Sequence, residues 1–236
     1  METLFNGFTL QIAPGTFPLS TDSMALAKFV SLPKNARVLD LGSGCGTLGI
    51  LLCAKDPGCT VTGIEMDPVA HEMALRNITA NGLENRLKSI CADLTQISAE
   101  LPAGSFDLCI SNPPYFTGGF LSKSTPTARH EQHCSLEDLV QCAAKALKFG
   151  GDFYLVHKPE RLAEIFACTV SHKLEPKRLN LLRHKEDGPV SLVLVQCRKG
   201  GKPGLLWEEA ALHDRQGNPT EFWNEMYHKN EENAKP

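Results

Sequence analysis

Asn112-Pro113-Pro114-Tyr115 combines residue types that suit one reaction, transfer of an electrophilic carbon to a planar amine. The –NH2 of an adenine or a carboxamide is a poor nucleophile because its lone pair is delocalised into the π-system. The side-chain carbonyl of Asn112 and the backbone carbonyl of Pro113 can each accept one of its N–H bonds. That draws the nitrogen towards tetrahedral geometry and frees the lone pair for in-line attack on a methyl group. Two prolines hold the turn rigid, so the acceptors are preorganised. Tyr115, or Phe116 after it, offers a ring face on which the planar target stacks. No metal and no strong base is needed, since the nitrogen sheds its proton after transfer. A strand-ending Pro-Pro turn beside a core aromatic would use the same dipeptide for structure alone, and what lies upstream decides between the two.

Upstream, Asp40-Leu41-Gly42-Ser43-Gly44-Cys45-Gly46 follows a short apolar run. Glycines at a strand-to-helix junction let the backbone turn tightly and approach a ligand, and the helix start presents free N–H groups. Gly44, Gly46 and Gly49 also satisfy the dinucleotide fingerprint G-x-G-x-x-G. Glu65, ending the next strand, suits ribose hydroxyls in either case. These features alone leave a methyltransferase and an NAD-dependent oxidoreductase level. Asp40 tilts the balance, because a carboxylate before the turn suits a cofactor bearing an ammonium group and repels a pyrophosphate. Asp93, just past the third strand, is placed to accept the exocyclic amine of a cofactor adenine, or else caps a helix. The favoured cofactor is S-adenosylmethionine.

The elements that must position these residues alternate. Arg37 to Leu41 predicts a buried strand, Thr47 to Lys55 a helix, Cys59 to Glu65 a strand, and Asp67-Pro68 opens a helix to Asn81. Leu87 to Ala92 and Phe106 to Ser111 are the third and fourth strands. A long polar stretch, Thr117 to Cys134, leads to a capping box at Ser135 and a helix to Leu147, stopped by Phe149-Gly150-Gly151. Asp152 to His157 is a strand and Pro159 to Thr169 a helix. Arg178 to Arg183 and Val190 to Gln196 form two strands joined by Lys185-Glu186-Asp187-Gly188. Before all of these, Thr21-Asp22 caps a helix from Ser23 to Ser31. The expectation is an α/β, doubly wound, Rossmann-like and mostly parallel seven-stranded sheet with one antiparallel edge strand. Residues 1–36 read as an N-terminal capping segment and helix, 37–202 as the cofactor-binding domain, and 203–236 as a C-terminal extension of the same domain with a disordered end.

Bulk properties set limits on partners. The chain has 236 residues, 42% hydrophobic and 22% charged, with net charge −3, so no global basic field announces a nucleic acid. Phe153 to Lys202, however, holds ten Lys/Arg against five Asp/Glu, a net of +5, while the tail from Pro203 holds three against seven, a net of −4. A local basic face is compatible with an acidic total. The nine cysteines are odd in number and show no CxxC spacing, which suits buried thiols in a reducing, cytoplasmic setting. No basic-then-apolar leader opens the chain and no apolar run reaches membrane length, so no membrane association is expected.

On these residues the chain resembles class I methyltransferases with an N/D-P-P-Y/F motif, and more closely the bacterial tRNA1(Val) adenine-N6 methyltransferase family. The matching segments are Gly15 to Asp22, Val38 to Gly46, Ile110 to Phe116, Ala128 to Glu131 and Lys199 to Gly204, and the likeness runs from about Phe8 to Tyr227. It implies cofactor contacts from Asp22, which covers the methionine end, and from Asp40, Gly42, Gly44, Gly46, Glu65, Met66, Asp93 and Asn112. It implies that Asn112, Pro113, Pro114 and Tyr115 hold the target amine. Phe116, Lys123, Arg129 and Lys158 are the expected substrate contacts, with Arg183 and Lys185 extending a phosphate-binding rim. A tRNA partner follows from the resemblance; no metal is expected, and the sequence leaves the oligomeric state open, between a monomer and a weak dimer. Leu206 to Ala210 departs from the family in lacking a proline-rich stretch, which bears on the substrate more than on the chemistry. Protein glutamine-N5 methylation, which the same turn serves, stays open, as does a binding module that has lost turnover.

Overall fold

The computed structural model describes residues 2–4, 7–12, 20–98, 100–113 and 134–227. Strands that are apolar on both faces need cover on both sides, and the sheet is built that way. In β3 (Arg37–Leu41) Val38 faces one layer while Leu39 and Leu41 face the other. In β6 (Phe106–Ser111) Leu108 and Ile110 oppose Phe106 and Cys109. In β7 (Leu147–His157) Tyr154 and Val156 oppose Phe153 and Leu155. The first layer is completed by α1 (Thr21–Phe29), α2 (Thr47–Lys55), α3 (Pro68–Ala80) and α7 (Glu221–Met226). The second is completed by α4 (Leu94–Ile97), α5 (Leu136–Ala146) and α6 (Leu162–Ser171).

With β4 (Thr60–Glu65), β5 (Leu87–Cys91), β8 (Leu174–Lys185), β9 (Val190–Lys199) and β10 (Leu206–His213), the strand order is β10-β8-β9-β7-β6-β3-β4-β5. Every pairing is parallel except those of β9, which runs against both β7 and β8. The chain winds outward from β3 through β4 to β5, then returns to place β6 on the other side of β3. That reversal opens a crevice at the carboxyl ends of β3 and β6, where sheets of this kind bind ligands. The glycine turn follows β3 and Asn112-Pro113 follow β6, so topology alone brings the two motifs to one place. A separate antiparallel pair, β1 (Glu2–Thr3) with β2 (Thr9–Leu10), is fastened to α3 through Thr9 N–H to Asn81 Oδ1 at 2.7 Å.

The doubly wound, mostly parallel class is as expected, with differences of detail. The main sheet has eight strands, because Leu206–His213 pairs in parallel with β8 from Leu206↔Arg178 to His213↔Lys185. It is an edge strand whose first four residues are exposed, so it lacks the buried alternation by which a strand is read. Its acids Glu208 and Glu209 reach Arg178 and Arg183 across the pairing, at 3.6 and 3.1 Å. Phe149-Gly150-Gly151 does not end a helix but lies inside β7. Leu147 pairs with Phe106 and Asp152 with Leu108, and the surplus residues bulge out around Gly150 at φ 79°. The cap of α1 is Ser20, whose Oγ accepts the Ser23 N–H, so the helix starts at Thr21 and ends two residues earlier than read. All nine cysteines are free thiols, six of them buried. Among the described residues no helix is long and apolar enough to cross a membrane.

Candidate active site

After Asp40-Leu41 the chain reverses through Gly42, Gly44 and Gly46, at φ 74°, 54° and 84°, a region glycine enters without strain. The N–H groups of Gly42 and Ser43 both donate to the Ile64 carbonyl at 2.9 Å, drawing the turn over β4. Gly63 permits that approach, since a Cβ there would lie 2.6 Å from Ser43 Oγ. Above Gly42 and Gly44 there is open space, with nothing within 4 Å of an added Cβ. Asn77, fully buried on α3, donates to the Cys45 carbonyl at 2.9 Å and to the Gln11 carbonyl at 2.8 Å, and accepts the Gln11 N–H. One side chain therefore fixes the glycine turn and ties the N-terminal segment beside it. Gly49, the third glycine of the dinucleotide pattern, meets Leu87: a Cβ there would come 2.6 Å from a Leu87 methyl. Helix–sheet packing accounts for that glycine without any dinucleotide.

Two carboxylates flank the turn. Glu65 Oε2 accepts the Gly44 N–H at 2.7 Å and Oε1 the Asp67 N–H at 2.8 Å. Each oxygen keeps a lone pair for a ligand hydroxyl. Asp40 is fully buried, and although the Gly49 N–H at the start of α2 faces its carboxylate, neither oxygen is held in a well-formed hydrogen bond. Burial, reinforced by the Glu65 charge, pushes its pKa up to about 8. Ser43 Oγ is likewise buried without a partner. Unsatisfied buried acceptors are costly, and three of them around an open glycine cradle fit a ligand that brings an ammonium group and hydroxyls. At the end of β5, Asp93 Oδ1 accepts both the N–H and the hydroxyl of Thr95, at 2.8 and 2.7 Å. It caps α4, and its second oxygen remains for an adenine amine. Met66 is half-buried beside Glu65.

At the end of β6, the Ser111 hydroxyl donates to the Leu41 carbonyl at 2.6 Å, joining the two motif-bearing strands at their tips. Asn112 is half-buried and its Nδ2 donates to Ser23 Oγ at 2.9 Å. With the nitrogen end committed to α1, the carbonyl oxygen is the end of the amide left to accept from a substrate. Pro113 is buried. Asp22, next to Ser23, sits within the field of Lys158; burial raises its pKa and the lysine opposes that rise. Lys158 follows β7 directly, and its N–H is held by His157 Nδ1 at 2.8 Å. Burial, with Arg161 nearby, lowers the His157 pKa to about 4, so this imidazole is neutral at physiological pH.

Asp22, Asp40, Gly42, Gly44, Gly46, Glu65, Met66, Asp93, Asn112, Pro113 and Lys158 thus all lie at the carboxyl ends of parallel strands or on the start of α1, which borders them. Pro114, Tyr115, Phe116, Lys123 and Arg129 lie outside the described residues. Arg183 is committed elsewhere: it donates to the Gly188 carbonyl at 2.7 Å and to Glu209 at 3.1 Å. Ser23, Ser43 and Asn77 were not singled out from the sequence. A serine three residues into a helix and an asparagine inside one carry no motif, and only their partners show their use.

The fold is shared with solved methyltransferase structures. The crystal structure of a predicted O-methyltransferase from Agrobacterium tumefaciens superposes with a TM-score of 0.74 at 25% identity, covering 88% of this chain and 96% of that one. A TehB-like SAM-dependent methyltransferase from Corynebacterium glutamicum shares the fold at a TM-score of 0.52 and 18% identity, over 76% of this chain and 89% of that one. The model of the methyltransferase small domain family matches residues 14–167, and the chain belongs to that family. It is a methyltransferase whose cofactor is S-adenosylmethionine. A Bacteroides fragilis protein named tRNA1(Val) (adenine(37)-N6)-methyltransferase is 27% identical over 230 residues, 95% of this chain and 97% of that protein. A Porphyromonas gingivalis protein of the same name is 32% identical over 163 residues, 66% of this chain and 63% of the relative.

Proposed function

We propose that this protein transfers the methyl group of S-adenosylmethionine to the N6 nitrogen of an adenine in tRNA, the activity in the names of its Bacteroides and Porphyromonas relatives. One observation carries the choice of nitrogen: the Asn112 amide is turned by Ser23 so that a carbonyl oxygen is left to accept. An acceptor suits an amine that must lose π-conjugation; a hydroxyl nucleophile would call for a base instead. The bound cofactor supplies a methyl group activated on a sulfonium. Asp40 and Ser43 would hold its polar methionine end, Glu65 its ribose hydroxyls and Asp93 its adenine, with open space left above Gly42 and Gly44. Asp22 closes the same end from α1. Asn112 and Pro113 accept the two N–H bonds of the target amine, Pro114 fixes the turn and Tyr115 stacks on the base. A methylated amine held by Asn112 and Pro113 would carry a positive charge and would release its extra proton to water, so no basic side chain would be needed at this point. Phe116, Lys123, Arg129 and Lys158 meet the base and phosphates of a loop whose adenine is already unstacked.

The test is methyl transfer from labelled cofactor to unmodified tRNA and, in parallel, to a protein extract. Label recovered as N6-methyladenosine supports the reading, with position 37 of tRNA1(Val) the first site to map. Label in protein glutamine and none in tRNA replaces it with amide methylation.

Ser23 is the positioning residue in this arrangement. Ser23→Ala should lower kcat about tenfold, the scale of one well-oriented hydrogen bond, with KM for S-adenosylmethionine unchanged. Ser23→Thr, which keeps the hydroxyl, should recover most of the loss. Equal kcat values for all three proteins would show that the Asn112 amide needs no such support.

A further inference from the structure

A second cluster of chemically active side chains lies on α5 and α6 and takes no part in the reaction proposed above. Glu137 is in the first turn of α5. Cys168 and His172 stand four residues apart at the end of α6, so both project from one helical face. The Glu137 carboxylate bridges them, with Oε1 at 2.5 Å from His172 Nε2 and Oε2 accepting from Cys168 Sγ at 3.1 Å. The sulfur, nitrogen and oxygen atoms all fall within 4.8 Å of one another. Three donors of different type, from the start of α5 and the end of α6, lie close enough together to share one metal ion.

Although the sequence reading expected no metal, we propose that Glu137, Cys168 and His172 bind one zinc-class divalent cation, with water completing a tetrahedral shell. The donor set selects the ion. Imidazole nitrogen, thiolate sulfur and one carboxylate oxygen match the borderline ligands zinc takes, while magnesium and calcium prefer oxygen alone. Zinc–ligand distances of about 2.0–2.3 Å put tetrahedral ligand atoms roughly 3.2–3.8 Å apart, so the Glu137–His172 pair, at 2.5 Å, would open to admit the ion. Each binding event forms a metal–thiolate bond and expels the Cys168 proton to solvent. Joining the start of α5 to the end of α6, the ion acts as a clip between two helices of the same layer. Glu137 is exposed and offers the route of entry.

The experiment uses the tag-free full chain, stripped of metal and titrated with zinc alone and cobalt(II) alone. One equivalent of zinc per chain is expected. Cobalt should give the near-ultraviolet thiolate-to-metal charge-transfer band and the intense visible bands of a tetrahedral site. Cys168→Ser should remove the charge-transfer band, and Glu137→Gln and His172→Gln should each weaken zinc at least tenfold, the minimum a lost supporting ligand costs elsewhere. Zinc should raise the Tm of the wild-type protein and not that of Glu137→Gln. Failure of the wild-type chain to bind zinc, or a charge-transfer band that survives in a folded Cys168→Ser protein, overturns the proposal.

Discussion

Asn112→Ala should lower kcat by about 10²–10³, the usual loss when one preorganised hydrogen-bonding group is removed from a reacting centre. The dissociation constant for S-adenosylmethionine should change by no more than about twofold, because Asp40, Ser43, Glu65 and the glycine turn are untouched. The split between kcat and cofactor affinity is what identifies the role. If Asn112 only terminated β6, its loss would disturb Ser111, the Leu41 carbonyl and hence the glycine turn, and cofactor binding would fall with the rate. Asn112→Asp gives the complementary result. Aspartate keeps an acceptor for the substrate, and its second oxygen can take a hydrogen bond from the Ser23 hydroxyl in place of the one Asn112 donates. That variant should therefore retain clearly more activity than alanine. Isothermal titration with cofactor and single-turnover methyl transfer at saturating tRNA measure the two quantities separately. A rate for Asn112→Ala within about threefold of wild type would remove Asn112 from the chemistry, since the expected loss is far larger.

What the sequence disclosed and what it hid divide along physical lines. Asn112-Pro113 and Asp40 to Gly46 were legible because special backbones need special residues: positive φ needs glycine and a rigid acceptor turn needs proline. Their convergence was legible too, since both follow strands that alternate with helices, and such strands end at a shared edge. Ser23 was not legible. Its contact with Asn112 spans 89 positions and joins a common residue type to another, with no local constraint to mark it. β10 was hidden for the opposite reason. Leu206, Trp207, Glu208 and Glu209 are exposed at the sheet edge, so burial imposes no pattern, and the pairing comes from backbone groups that every sequence carries. The bulge in β7 was misread because Gly150-Gly151 serves equally as a helix stop and as an interruption inside a strand. Asp93 could be read as a cap or as an adenine contact, and its Oδ1 bonds to Thr95 leave room for both.

Asp40 gives the other large effect, through pH. Its folded pKa of about 8 stands well above the ordinary carboxylate value, so between about pH 4 and 8 the folded, cofactor-free protein carries a proton that the unfolded chain has released. Stability from this group is therefore full below the unfolded pKa and is lost as pH rises through the folded one. The Tm of the cofactor-free protein should fall as pH is raised towards 8. Asp40→Asn, which cannot ionise, should flatten that part of the profile and be the more stable protein at pH 8. Cofactor binding reverses the preference. An ammonium group brought against Asp40 favours the carboxylate, so binding expels the proton, and affinity should increase with pH up to about 8. Calorimetry at pH 7 in two buffers of different ionisation enthalpy should report release of most of one proton per cofactor bound by the wild-type chain, and none by Asp40→Asn. Asp40→Asn should also bind cofactor at least tenfold more weakly, on the scale of an unmade charge-assisted hydrogen bond. Proton release that persists in Asp40→Asn would assign the linkage to another group, with Asp22, whose pKa burial also raises, the first to test. Loss of affinity without proton release would mean instead that Asp40 is already ionised in the free protein and meets the ammonium as a standing charge.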